Sequence, residues 1–209
     1  MASFSINLTT RATLHPDGDP SEFISEYRGQ VLCIVDAGVE TTAGYIRALR
    51  LHAGLASEKG EPLFDVCDCH SHEMHLIHSL LYQPDTYDLR DSLAYRFEAY
   101  EVDLLVLDYI LLDPKWRGLK IGLLAARKLV DLLGGGCGLV VSEISPLRRE
   151  AHKHLRVPEE WIPEPTTPGA LRRYFRRMGF ERLGKTSFYA MPTALVTPTA
   201  EELLRASSG

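Results

Sequence analysis

The chain has 209 residues, 45% of them hydrophobic and 24% charged, with a formal net charge of −5. That is enough apolar material for one well-buried domain. The acidic balance argues against a general nucleic-acid binder, whose affinity rests on excess Lys and Arg, and no stretch reaches the ~18 to 20 consecutive apolar residues of a membrane span. The opening run MASFSINLTTRATLHPDG has no basic-then-apolar signal pattern, so a cytoplasmic location is expected, with Cys33, Cys67, Cys69 and Cys137 as reduced thiols.

In chain order, residues 1–28 read as a polar lead-in holding at most one short strand. VLCIVDAG and GYIRALRLHAG read as two strands joined by VETTA. ASEKGEP, residues 56–62, reads by composition as a surface loop. Residues 71–100 turn helical, broken around Gln83-Pro84-Asp85, which predicts two helices flanking a turn. Cys67, Cys69, His70, His72, Glu73, His75 and His78 fall close together, and soft thiolates with imidazoles at this density are ligands for zinc or a similar ion. The spacing is poor for one: no C-x-x-C is present, and His72-Glu73-Met74-His75 is one residue short of H-E-x-x-H. A histidine-rich helix near a cleft is the alternative.

Residues 104–112, LLVLDYILL, are apolar except for Asp108 and Tyr109, the pattern of a strand buried on both faces. Pro114 cannot donate to a ladder and ends it. From Ile121, apolar residues recur at Leu124, Ala125, Leu129, Leu132 and Leu133, one helical stripe. Gly134, Gly135 and Gly136 close that helix, and residues 137–144 read as the next strand, making a right-handed parallel crossover. A strand feeding a glycine-containing turn into a helix N-terminus leaves backbone N–H groups aimed at one point, where phosphate is the natural guest. GGGCG is no P-loop, because no Lys-Ser or Lys-Thr follows it.

Apolar strand, Asp113-Pro114, aromatic Trp116, Arg117-Gly118-x-x-Ile121-Gly122 and Leu123-Leu124, in that order, resemble the acetyl-CoA-binding motif of the GNAT superfamily of N-acetyltransferases. Residues 171–191, LRRYFRRMGFERLGKTSFYAM, resemble the later helix and strand that carry its Gly-Phe signature. The resemblance implies a single α/β domain over residues 29–191, before a tail at 192–209. Its sheet would be mixed and mostly antiparallel, with a splayed parallel pair and flanking helices. It implies acetyl-CoA as cosubstrate, a small-molecule or peptide amine as acceptor, and a cofactor-binding set of Leu111, Leu112, Arg117, Gly118, Leu119, Lys120, Ile121 and Gly122. Pairing into a homodimer is common among acyltransferases of this size. Lys120 stands where the motif usually has glycine; it gives its N–H if its dihedrals are ordinary helical ones, and its ammonium attracts phosphate as a point charge.

Acetyl transfer to an amine uses a base for the nitrogen and an acid for the departing thiolate. Asp108 is the first candidate base, an ionisable group in a buried strand, where it serves equally well as a structural carboxylate. Glu143 is the second; Ser142 and Glu143 face opposite sides, so only one enters the cleft. The family commonly places its acidic tyrosine five positions before the Phe of Gly-Phe, which here is Phe175. Tyr174 is one residue away, a rotation of roughly 100° on a helix. Tyr174 shifted into place, Tyr189, or a thiolate that leaves unprotonated are the options. Arg172, Arg173, Arg176 and Arg177 read either as an exposed basic face or as contacts for an outer phosphate. The loop at 157–169, with Pro158, Pro163, Pro165 and Pro168, is expected to shape the site.

Overall fold

A strand apolar on both faces needs cover on both sides, and residues 104–107 have it. The computed structural model describes residues 2–11, 18–35, 39–144, 159–161, 168–194 and 198–205. Among them are strands β1 (Ser3–Thr10), β2 (Ile24–Val35), β3 (Val39–Leu51), β4 (Asp103–Leu112), β5 (Cys137–Glu143), β6 (Glu181–Arg182) and β7 (Phe188–Pro192). The helices are α1 (Ala53–Lys59), α2 (Leu63–His70), α3 (His72–Leu81), α4 (Asp91–Phe97), α5 (Ile121–Leu133), α6 (Pro168–Arg176) and α7 (Ala200–Arg205). The strands form one sheet in the order β1-β2-β3-β4-β5-β7-β6, antiparallel throughout except for β4 and β5. This is the mixed, mostly antiparallel sheet with one parallel pair that the resemblance implies.

Alternation along β4 sends Leu104 and Val106 into a core shared with α1 to α4, and Leu105 and Leu107 into a second core shared with α5. The parallel ladder is short. Asp103, Leu104, Leu105 and Val106 pair with Cys137, Leu139, Val140 and Val141, and there it stops. β4 continues to Leu112 paired with β3, while Ser142 and Glu143 pair with β7. Just past the last pair, the Ser142 hydroxyl donates to the Leu107 carbonyl at 2.8 Å. The two strands therefore part along the upper half of β4.

The helices over 72–81 and 91–97, with the turn between them, are where the sequence predicts them. Three expectations are corrected. VETTA lies inside β3, because β-branched Val39, Thr41 and Thr42 suit an extended strand opposite β2, and the connection falls at 36–38, outside the described residues. The polar lead-in holds the one strand allowed for it, β1, an edge strand whose Ile6 and Leu8 lean on the second core, but also the turn Pro20–Phe23 and the start of β2 at Ile24. Residues 56–59 belong to α1, not to a loop: buried Ala53 and Ala56 outweigh the polar composition, Asp103 accepts the Gly54 N–H at 3.0 Å, and Gly60 closes the helix at φ 71°. The proline-rich loop lies outside the described residues apart from Glu159–Trp161 and its last two positions. Within the tail, Leu203 of α7 is 1% exposed in the second core, where its burial contributes on the order of 2 kcal/mol.

Candidate active site

At the end of β4, Asp113 accepts the Lys115 N–H at 3.0 Å and starts a single turn, Pro114–Trp116, which takes the Arg117 N–H at 3.2 Å. The chain then enters the left-handed region twice, at Gly118 (φ 78°) and Lys120 (φ 61°), before α5 begins. The first backbone bond of the helix runs from Leu124 N–H to the Lys120 carbonyl at 3.1 Å, and the Tyr174 hydroxyl lies against this first turn at Gly122. The N–H groups of Gly118, Leu119, Lys120, Ile121 and Gly122 make no hydrogen bond among the described residues. Left-handed residues leading into a helix turn successive amides toward a common concave side, and the dipole of a 13-residue helix adds to it. A diphosphate fits this donor set.

The side chains of the loop serve other ends. Arg117 donates to the Leu112 carbonyl at 3.0 Å and to the Trp161 carbonyl, tying the strand end to the turn Glu159–Trp161. The Trp161 ring in turn sits 5.6 Å from that of Tyr45. Lys120 is not helical in its dihedrals, and its ammonium donates to the carbonyls of Leu203, at 3.0 Å, and Leu204. Leu111 and Ile121 are buried, Leu112 leans on the second core, and Leu119 is exposed.

Tyr174 comes from α6. Its oxygen lies 2.5 Å from where a Cβ on Gly122 would stand, and burial raises its pKa well above the usual tyrosine range. Its hydroxyl donates no hydrogen bond among the described residues. Phe175 packs on Phe180 at 5.3 Å, and Tyr189 is buried in the second core with its hydroxyl unpartnered among the described residues. Arg173, Arg176 and Arg177 are exposed.

On the other face, above the point where the strands part, charged groups collect. Arg47 pairs with Tyr109 and Ala48 with Leu107, so Asp108 is the extra residue of a β-bulge. Its carboxylate accepts from Arg47 Nη1 at 2.6 Å, while Arg47 Nε reaches Glu26. Burial raises the Asp108 carboxyl and the Arg47 charge partly offsets the rise. Val141 belongs to the first core, so alternation turns Glu143 toward Asp108 and Ser142 away; Glu143 accepts from the Ser187 hydroxyl at 2.8 Å. Glu73, in the first turn of α3, completes the group. Burial, followed by the charges of Asp108 and Glu143, pushes its carboxyl up to about 7, and it makes no hydrogen bond among the described residues. Burial and Arg47 push His70 down. In the sequence Glu73 stands out only as part of a histidine-rich string, and nothing local in the chain signals that it meets β4.

That string disperses. Ser71 caps α3 by accepting the Met74 N–H at 3.2 Å, which separates Cys67, Cys69 and His70 on α2 from the rest. Cys67 is buried, its thiol pushed up to about 12, and His78 is buried and stacked on Tyr82 at 5.7 Å. His75 meets Asp68 at 2.9 Å. Among the described residues no three His, Cys, Asp or Glu side chains form a ligand set.

No helix among the described residues is long and apolar enough to cross a membrane. No family model matches the chain, and no curated protein matches it. Among solved structures it is similar to the polyamine N-acetyltransferase of Drosophila melanogaster, described as an enzyme that catalyses the formation of N-acetylagmatine. The identity is 12%, the TM-score 0.35, and the match covers 79% of this chain and 74% of that one.

Proposed function

We propose that this protein is an N-acetyltransferase that moves an acetyl group from acetyl-CoA to a primary amine of a small molecule or peptide. The observation that carries this reading is the row of unbonded amides at 118–122, at the end of the strand that bears Asp108. Those amides hold the diphosphate, and Leu111 and Leu112 flank the arm that follows it. Acetyl-CoA supplies the acetyl group as a thioester, so the nitrogen–carbon bond forms as the carbon–sulfur bond breaks.

The acceptor enters from the face of Asp108, Glu73 and Glu143. A carboxylate-rich approach binds the ammonium form, and the attacking nitrogen must then lose a proton. Glu73 takes that proton, and Asp108 takes the second proton that the nitrogen sheds as the amide forms. Asp108 is oriented by Arg47, and Glu73, with no hydrogen bond among the described residues and a carboxyl raised to about 7, is the freer acceptor. Glu143 adds negative charge that holds the cation. Tyr174, its proton uncommitted, supplies the hydrogen for the departing sulfur.

Calorimetry with coenzyme A and acetyl-CoA, followed by thiol release with a panel of primary amines, tests the proposal. Saturable binding and amine-dependent thiol release are expected. No binding overturns the reading, and binding without turnover on any amine leaves a coenzyme A-binding module in its place.

A further inference from the structure

Lys120 sits in the middle of the amide row at φ 61° and ψ 8°, a region L side chains enter at a cost that Gly118, two residues earlier, does not bear. A lysine kept there needs a restraint. Its ammonium has one: the carbonyls of Leu203, at 3.0 Å, and Leu204, 83 residues further along the chain. These belong to the last turn of α7, where carbonyls lack intrahelical partners and the helix dipole favours a cation.

The partner is itself anchored. Leu203 is buried in the same core as Ile121 and Leu123 of α5. Thr199 and Glu202 cap the start of α7 reciprocally: the Thr199 hydroxyl accepts the Glu202 N–H at 3.2 Å, and the Glu202 carboxylate accepts the Thr199 N–H at 2.7 Å. Arg127 of α5 also donates to the Pro198 carbonyl.

We infer that α7 is a clamp on the anion cradle: through the Lys120 ammonium it holds the Lys120 backbone left-handed, and so keeps the amides of 118–122 converging on the coenzyme A diphosphate. Lys120 is thus a positioning residue, and this role rests on the proposed function for the identity of the ligand. A lysine takes the place of glycine because the carboxy-terminal helix supplies the restraint that glycine does not require.

The test is a cycle of Leu203→Ala and Lys120→Gly, read as coenzyme A affinity by calorimetry. In the Lys120 background, Leu203→Ala weakens binding about tenfold; in the Lys120→Gly background it changes binding less than twofold. Lys120→Met, which keeps the Cβ and removes the ammonium, weakens binding by a like factor and does not depend on Leu203→Ala folding well. The Lys120 Cβ chemical shift and its HN–Hα coupling, measured by NMR without ligand, report the left-handed backbone directly and move toward ordinary helical values in Leu203→Ala. Equal losses in both Lys120 backgrounds, or an affinity unchanged by Lys120→Met, overturn the clamp. Wild-type protein that binds no coenzyme A overturns the proposed function instead, and the NMR signature then decides the clamp alone.

Discussion

Two aspartates of β4 show how surroundings assign roles to identical side chains. Asp103 accepts the Gly54 N–H at 3.0 Å, meets Arg50 at 3.4 Å and lies 3.8 Å from His52, so it fastens the start of α1 to the sheet. Asp108, on a bulge where Arg47 is its one hydrogen-bond partner among the described residues, is left with capacity for a ligand. Glu73 is the most testable of the neighbouring acids. Its carboxyl is raised from 4.5 to about 7, so the folded state holds a proton that the unfolded chain releases, and stability falls as pH rises through that window. Glu73→Gln is expected to melt higher than wild type at pH 8, by on the order of 2 kcal/mol, and to lose that advantage at pH 4, where both states are protonated. Thermal melts across pH check it. Gly122 supplies a second prediction at this scale: Gly122→Ala drives a methyl into the Tyr174 oxygen and costs about 1 to 2 kcal/mol, part of which Tyr174→Phe restores. Gly118→Ala meets open space, so its cost is backbone strain alone and Tyr174→Phe does not relieve it. Urea melts of the four variants separate the two cases.

Among the elements, the break between α2 and α3 does most to shape the face that carries the carboxylates. Ser71 at φ −171° cannot continue a helix; its carbonyl accepts from His75, its hydroxyl accepts from Met74, and the new helix carries Glu73 in its first turn over β4. Ser71→Ala should cost about 1 kcal/mol and lower the apparent acid-limb pKa of turnover, since a frayed first turn returns Glu73 to water. Denaturant melts and a pH–rate profile measure both. The elements around the amide-bearing loop were legible because their signals are local: apolar residues at 104–112, Pro114, Gly118, the stripe of α5 and the closing glycines each act on their own neighbours. α1 was not legible, since its polar residues face solvent while Ala53 and Ala56 carry the burial, and small alanines announce no face in a sequence. β1 was hidden for a related reason: an edge strand exposed along most of its length has weak alternation to read.

In the molecule as a whole, the sheet divides two chemistries, the amide cradle on the α5 side and the carboxylates on the α2–α3 side, and the parting of β4 from β5 joins them. Burial also sorts the thiols. Cys33, Cys67 and Cys137 are buried, with Cys67 and Cys137 pushed up to about 12 and about 11, whereas Cys69 is exposed. Iodoacetamide at pH 8 is expected to modify one cysteine in the native protein and four after unfolding, counted by mass spectrometry.

By itself the sequence determined the strand–turn–helix unit and the glycine-containing loop, because propensity, proline and glycine act within a few residues of where they stand, whereas the mixed sheet was expected only from the resemblance. Only the tertiary structure decided which carboxylates meet, that Lys120 is left-handed with its charge on α7, and that Tyr174 lies against Gly122. Those contacts join segments far apart in the chain, set by the burial of alternate faces on one sheet, and no local pattern encodes the distance between two side chains brought together that way.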